Sequence, residues 1–450
     1  MIDFKEQIIS FGKVFNFLNE CNKDRRYHFL PLDFCAGLIS AIGPGISRLS
    51  SINLLRLEIL NLTNINIPYS TMLDRLRSNK TVHQLREIFI STLNLLNEKK
   101  SNSFSCFKSI ATACNVLDIR LADSTSISLP PKASNEFPGT GLGKNGKNPA
   151  AVKINIFLSL VSGLIQTASV KAGTTADINF FEKYNFVRGV LYIFDLGYYD
   201  YSIFEQIKMV KAFFLVRLKS CSIATLVEIL NSDCLILENK NFRGDVSNAQ
   251  SINLNEIKEY CGNIIDCIIN LGSLNLNNRY RCIGFWNEET KKYHFYITNL
   301  LVSAVIISAL YKLRWQIELT FKALKNSCRW EKFTSANKNV IESLTLASLI
   351  AYTLSIGMGN LVAAENPETK NAQTIQRTVR SFGLLATFFC FFIIQPNQTN
   401  LDNLTKRAKI LSKEFHDPNY KKRPTSAMKA KMFTELKGFN RKNISEKIII

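Results

Sequence analysis

GVLYIFDLGYYDYSIFEQIKMVKAFFLVRLKS, residues 189–220, holds an apolar run closed by a carboxylate at Asp195, a stretch with apolar residues at helical spacing, and a second apolar run ending in Arg217, Leu218 and Lys219. Short apolar runs bounded by turn residues read as buried strands, and the spacing between them as a helix. Upstream, NVLDIRLAD (115–123) alternates Val116, Asp118 and Arg120 against Leu117, Ile119 and Leu121, a strand ending near Asp123. AVKINIFLSLVSGLIQTASV (151–170) reads as two strands around a Ser162-Gly163 turn. Three strands, then strand, helix and strand, describe a mixed α/β sheet whose first three strands are antiparallel.

The chain has 450 residues, more than one hydrophobic core usually serves, so several structural units are expected. Its 56 Lys and Arg against 36 Asp and Glu give a net charge of +20, which implies an anionic partner, nucleic acid before membrane. The 11 cysteines form no CxxC pair, Cys261 and Cys267 being the nearest spacing, and His28, His83, His294 and His416 lie far apart. This points to reduced cytosolic thiols and away from a structural zinc site. The opening MIDFKEQIISFGKVF carries acids and lacks a secretory pattern. Gly383 to Ile394 is 12 residues, too short to span a bilayer, and the 22 uncharged residues from Ser343 to Ala364 are interrupted by Ser, Thr, Asn and Gly and read as a buried helix.

Five regions follow. Residues 1–100 read as a helical DNA-binding domain, in which IPYSTMLDRLRSNK offers Ser70 as an N-cap and a short helix presenting Arg75, Arg77 and Lys80. Residues 101–219 form the first part of the α/β core, 220–300 a β-rich insertion (CLILEN, YRCIGFWN, KYHFYITNL), 301–365 the second part of the core, and 366–450 a basic helical region. Residues 401–450 hold 13 Lys and Arg against 5 Asp and Glu, a DNA-attracting tail.

Asp123 and Asp195 stand at strand ends, where open α/β sheets place their sites, and Glu318 lies in YKLRWQIELTFKALK (311–325), one acid among four Lys and Arg. At ~100° per residue, Tyr311, Arg314, Glu318 and Lys325 fall within an arc of ~60° of a continuous helix. Leu310, Leu313, Ile317, Phe321 and Leu324 make the adjoining core face. Two Asp and one Glu would make an oxygen-only site suited to Mg²⁺ or Mn²⁺. Arg314 and Glu318 alone would be an ordinary i,i+4 ion pair.

The spacing Tyr311, two residues, Arg314, three residues, Glu318, six residues, Lys325 resembles the signature of the DDE transposases of insertion-sequence family 4, which have an RNase H-like core. ADST (122–125), FDLGYYDYSIF (194–204), VRLKS (216–220) and ITNL (297–300) are similar to the surrounding blocks, so the resemblance covers about residues 105–365. Leu196 departs from it, standing where many members carry Arg. The resemblance implies two Mg²⁺ ions held by Asp123, Asp195 and Glu318, with Mn²⁺ a substitute. It further implies cleavage at element ends, a hairpin intermediate, strand transfer, and a homodimer on DNA in the bacterial cytoplasm at the nucleoid. Tyr311, Arg314 and Lys325 would grip phosphates, joined by Arg217 and Lys219 at the end of a strand, and Trp286, with Trp315 as a lesser candidate, would stack on a displaced base.

GLGKNGKN (141–148) nearly matches a phosphate loop but has Asn148 where a hydroxyl is needed, and reads as a basic segment near the DNA. Asp118, Asp177 and Asp200 compete as carboxylates: mid-strand, cap and helix-start positions respectively. The alternative function is a catalytically silent, sequence-specific DNA-binding repressor derived from a transposase, or a nuclease without end specificity.

Overall fold

The computed structural model describes residues 4–20, 31–42, 52–98, 105–141, 149–181, 185–219, 222, 224–230, 263–271, 279–328, 335–365 and 375–415. The expected strand CLILEN, most of the GLGKNGKN loop and the tail beyond Phe415 lie outside these residues. The chain falls into two compact units, one of residues 1–106, 124–175 and 316–427, the other of residues 107–123, 176–315 and 428–450.

In the first unit, six helices come first: α1 (Phe4–Lys13), α2 (Phe17–Glu20), α3 (Pro31–Ile42), α4 (Ile52–Thr63), α5 (Tyr69–Arg77) and α6 (Asn79–Glu98). They do not form a unit of their own. The long helices near the other end of the chain, residues 338–365 and 375–394, both lie against α3; the former also lies against α5 and α6, and the latter against α4. Ser70 is not the cap of α5: Pro68 precedes the helix, and Ser70 is its second residue. Proline cannot donate a backbone hydrogen bond, so it serves well just outside a helix start. Gly37 of α3 is required by close approach, because a Cβ there would collide with Cγ1 of Ile59. Gly37→Ala is therefore expected to cost ~1–3 kcal/mol as overpacking, read as a lowered denaturant midpoint with an unchanged slope.

Helix α7 (Ser105–Ala113) leads into β1 (Asp118–Ser128), which passes from the second unit to the first after Asp123. The hairpin β2 (Ala151–Ser159) and β3 (Ile165–Ala172) follows as expected, its turn closed by Gly163 at a φ of 71°, a left-handed conformation that glycine adopts without strain. Next come β4 (Val190–Phe194), α8 (Tyr201–Met209) and β5 (Phe213–Arg217). Every residue of β4 is buried, which is why its sequence is a continuous apolar run rather than an alternating one. Asp200 is the N-cap of α8, its carboxylate accepting from Ser202 N–H at 2.8 Å. The insertion supplies β6 (Ala224–Ile229), β7 (Ile264–Leu271), β8 (Arg279–Asn287) and β9 (Lys292–Thr298). These strands are not a separate appendage: β9 pairs antiparallel with β5, and the strand order is β3-β2-β1-β4-β5-β9-β8-β7-β6. With β1, β4 and β5 parallel and the β2–β3 hairpin antiparallel, this is a mixed, RNase H-like sheet extended at one edge.

Helices α9 (Ala304–Lys312), α10 (Trp315–Cys328), α11 (Lys338–Glu365), α12 (Ile375–Ile394) and α13 (Gln398–Ile410) complete the described chain. By length and composition α11 and α12 are both apolar enough to cross a bilayer. Most of α11 is instead buried within its own unit, with Thr345, Ser348 and Thr353 hydroxyls donating to carbonyls four residues earlier. That bonding lets polar side chains enter a core without an unmet partner.

Candidate active site

Asp123 is not at the end of its strand, because β1 continues to Ser128. It stands where the β1–β4 ladder ends. The last pair is Ala122 with Phe194, so Asp123 and Asp195 are the next residue of each strand. Neighbouring strands are ~4.8 Å apart, and in-register residues project from the same face. Asp195 keeps extended dihedrals (φ −84°, ψ 172°) before the chain turns at Leu196–Tyr198. Two carboxylates are thus set side by side by parallel pairing.

The turn after Asp195 is held from below by rings. Phe181 lies 5.1 Å from Tyr198 and 5.7 Å from Phe194 between ring centroids, and Phe186 meets Tyr192 at 5.0 Å. Gly197 admits a carboxylate: a Cβ there would lie 2.9 Å from Oδ2 of Asp177. Asp177 is therefore a neighbour of the Asp195 turn, a role its sequence context did not suggest.

Tyr311 and Arg314 come from the end of α9. The continuous helix expected over 311–325 is broken: Leu313 N–H donates to Leu310 and Arg314 N–H to Tyr311, both three residues back, before α10 starts at Trp315. No glycine or proline marks the break, so the apolar periodicity runs straight through it, and Leu310, Leu313, Ile317, Phe321 and Leu324 are all buried as expected. The four signature residues do not share one helical stripe. Tyr311 lies in the last turn of α9 and Arg314 in the turn after it, both in the second unit, whereas Glu318 is in the first turn of α10 and Lys325 in its last, both in the first unit.

Within the second unit Arg314 Nη1 lies 3.4 Å from Oδ2 of Asp123, with both side chains mostly buried. Tyr311 packs its ring on Tyr296 of β9 at 4.6 Å. Burial first, then the Asp195 carboxylate, push the Tyr311 phenol up to about 12, while the Arg314 and Arg217 guanidiniums act the other way. Tyr311 therefore stays a neutral hydroxyl able to donate at physiological pH. Asp123, Asp195, Tyr311, Arg314 and Arg217 form one electrostatic neighbourhood.

Arg217 closes β5 and is exposed, with Nη2 2.8 Å from Nδ1 of His294. Lys219 lies with Nζ 3.5 Å from the Tyr199 carbonyl and over the Tyr199 ring at 4.9 Å. Trp286 is half-buried on β8, its ring edge-on to Tyr293 at 5.0 Å. Trp315 is 58% exposed, the more open of the two indoles. KYHFYITNL shows its strand alternation in sequence, but not which parity faces the site, so Tyr296 and His294 are not site candidates from sequence.

The residues present suit a divalent cation in part. Two hard carboxylates in register are the donor chemistry Mg²⁺ or Mn²⁺ takes. Among the described residues no group of three or more His, Cys, Asp or Glu converges to hold a metal.

A family model described as "Transposase DDE domain" matches residues 115–354, just over half of the chain. A transposase for insertion sequence element IS1151 of Clostridium perfringens is 22% identical over 404 residues, covering 79% of this chain and 81% of that protein. A putative transposase, y4zB, of Sinorhizobium fredii is 27% identical over 169 residues, 37% of this chain and 42% of that one. Among solved structures, a piggyBac transposase synaptic complex with hairpin DNA aligns with a TM-score of 0.42 at 10% identity, over 89% of this chain and 82% of that one. DDE transposases are enzymes that act on DNA and generally use divalent metal ions, and this chain belongs to the transposase DDE domain family.

Proposed function

We propose that the protein is the Mg²⁺-dependent transposase of an insertion sequence of family 4, cutting the ends of its element and joining them to target DNA as a homodimer in the bacterial cytoplasm, at the nucleoid. The observation that carries the reading is the register of Asp123 beside Asp195 at the end of the β1–β4 ladder. Asp123, Asp195 and Glu318 are the proposed ligands, and two bound ions would supply activation of the attacking oxygen and stabilisation of the leaving one.

The protein's own groups do the holding. Arg314 presents a planar fork suited to a phosphate, and Lys325 a point charge. Tyr311, kept protonated, donates a hydrogen bond to the same strand. Arg217 and Lys219 extend the contact along the backbone, and Trp286 offers a face to a displaced base. Helix α5, with Arg77 exposed, is the proposed groove reader, and the +20 charge supplies sequence-independent attraction.

The test is strand cleavage of a labelled duplex carrying the ends that flank the gene, in Mg²⁺ and in Ca²⁺, with Glu318→Gln beside the unaltered protein. Cuts at the element boundary in Mg²⁺ alone, abolished by the substitution while binding persists, are the expected outcome. Tight binding by the unaltered protein without any cut would replace this reading by that of a silent repressor.

A further inference from the structure

Arg217 of β5 and Tyr296 of β9 are cross-strand partners, and His294 lies two residues before Tyr296 on the same face of β9. An arginine side chain only donates, so the 2.8 Å contact between Arg217 Nη2 and His294 Nδ1 requires Nδ1 to accept. On the opposite side of the ring, Nε2 lies 3.3 Å from the side-chain nitrogen of Asn287 on β8. The orientation of that amide is fixed, because its oxygen accepts from the backbone N–H of Glu289 and of Thr290.

Both ring nitrogens therefore face donors. The neutral ring, accepting at Nδ1, already turns its Nε2–H toward the Asn287 amide nitrogen; an imidazolium has no acceptor, so protonation would add a second donor-to-donor opposition, at Nδ1, and place a second positive charge beside the guanidinium. Burial, and then the Arg217 charge, hold His294 below its usual 6.5. The other groups on this side are the Tyr296 phenol, raised by burial, and the Tyr311 phenol packed on it. In the β8–β9 turn Glu288 pairs with Lys291 at 2.7 Å.

We infer that His294 is a positioning residue: as a neutral imidazole it accepts a hydrogen bond from Arg217 and aims that guanidinium at a phosphate of the DNA strand bound beside Asp195 and Tyr311. The inference rests on the transposase reading for its ligand, and on the strand geometry for the pairing itself. Its consequence is a pH dependence whose sign is fixed. A histidine whose pKa is lowered in the folded protein contributes fully above 6.5, and the contribution is lost as the pH falls through the lowered value.

The experiment is a cycle of His294→Ala, His294→Asn, Arg217→Ala and the Arg217→Ala/His294→Ala double variant, each checked for folding by circular dichroism and read as cleavage rate on the element-end duplex. Loss of a hydrogen bond to a charged group predicts a fall of ~10-fold for His294→Ala, and no further fall when the same change is made in the Arg217→Ala background. Asparagine places an amide oxygen where Nδ1 was, so His294→Asn recovers most of the rate. The ratio of unaltered to His294→Asn rates, which cancels the pH dependence of hydrolysis itself, stays level from about pH 8 to about pH 6.5 and falls below that.

Equal losses from His294→Ala in both backgrounds, or a His294→Asn variant as poor as His294→Ala, would overturn the inference. The same cycle read as duplex affinity at constant pH separates it from the parent reading. Coupling in affinity with no cleavage by the unaltered protein keeps the His294–Arg217 pairing and removes the transposase assignment. An uncoupled cycle in both readouts removes the pairing.

Discussion

Asp195→Asn is expected to lower Mg²⁺-dependent cleavage by at least ~10³-fold, since removing a group that merely supports a metal ligand already costs 10- to 100-fold. The substitution keeps the shape and the extended backbone at Asp195 and removes only the charge. Its effect on the fold is therefore small. With Asp123 already facing Arg314, removing the neighbouring charge is expected to leave the melting temperature unchanged or slightly raised. The readout that separates a ligand from a structural carboxylate needs no DNA. A metal bound to the native state alone stabilises it by mass action, so Mg²⁺ should raise the melting temperature of the unaltered protein and not that of the variant. Equal stabilisation of both by Mg²⁺ would remove Asp195 from the metal site.

The second large effect lies away from the candidate site. Arg281 of β8 is 0% exposed, and its guanidinium meets the Asp266 carboxylate of β7 twice, at 2.9 and 2.6 Å. Its remaining nitrogen donates to the carbonyls of Leu300 and Val302, at 3.0 and 2.7 Å. Those carbonyls belong to the segment that enters α9, the helix carrying Tyr311. One buried fork thus ties the extended edge of the sheet to the element that delivers a signature residue.

Arg281→Met fills much of the volume and leaves Asp266 as a buried, uncompensated charge, which costs ~3–5 kcal/mol. That is a large share of a typical stability of ~5–15 kcal/mol, and a drop in apparent melting temperature of about 10 °C is expected. Asp266→Leu added to Arg281→Met removes the orphaned charge and is expected to restore much of the loss, though not the two carbonyl bonds. A double variant as unstable as the single one would mean that the carbonyl bonds, not the ion pair, carry the effect.

Element types were legible because they are local properties. Val190 to Phe194 reads as a buried strand from five consecutive apolar residues, Asp200 reads as an acid at a helix start, which the structure makes the cap itself, and the β2–β3 turn reads from Ser162-Gly163. The carboxylates Asp123, Asp195 and Glu318 were legible as candidates from position and spacing. The buried face of α9 and α10 was legible as well, since a 3.6-residue period survives a two-residue turn.

The turn itself was not legible. Leu313 and Arg314 carry no glycine or proline, and whether a chain bonds three or four residues back there is decided by what surrounds it. Nor could the sequence show that residues 1–106 share a unit with α11 and α12 rather than standing apart, because that grouping joins segments more than two hundred residues distant.

What the sequence by itself determined is the type of the strands and helices around the site, the acids available for a metal, the positive charge that draws an anionic polymer, and the spacing that carries the family resemblance. Only the tertiary structure decided which side chains meet. Asp123 comes to stand beside Asp195 through a parallel register, Arg314 reaches Asp123 across 191 positions, and Arg281 finds Asp266, Leu300 and Val302 in the interior. The physical reason is that periodicity records how each residue relates to its own backbone, while the pairing of charges across strands depends on register. A shift of one residue in register would turn the strand side chains Asp123, Asp266 and Arg281 to the opposite face.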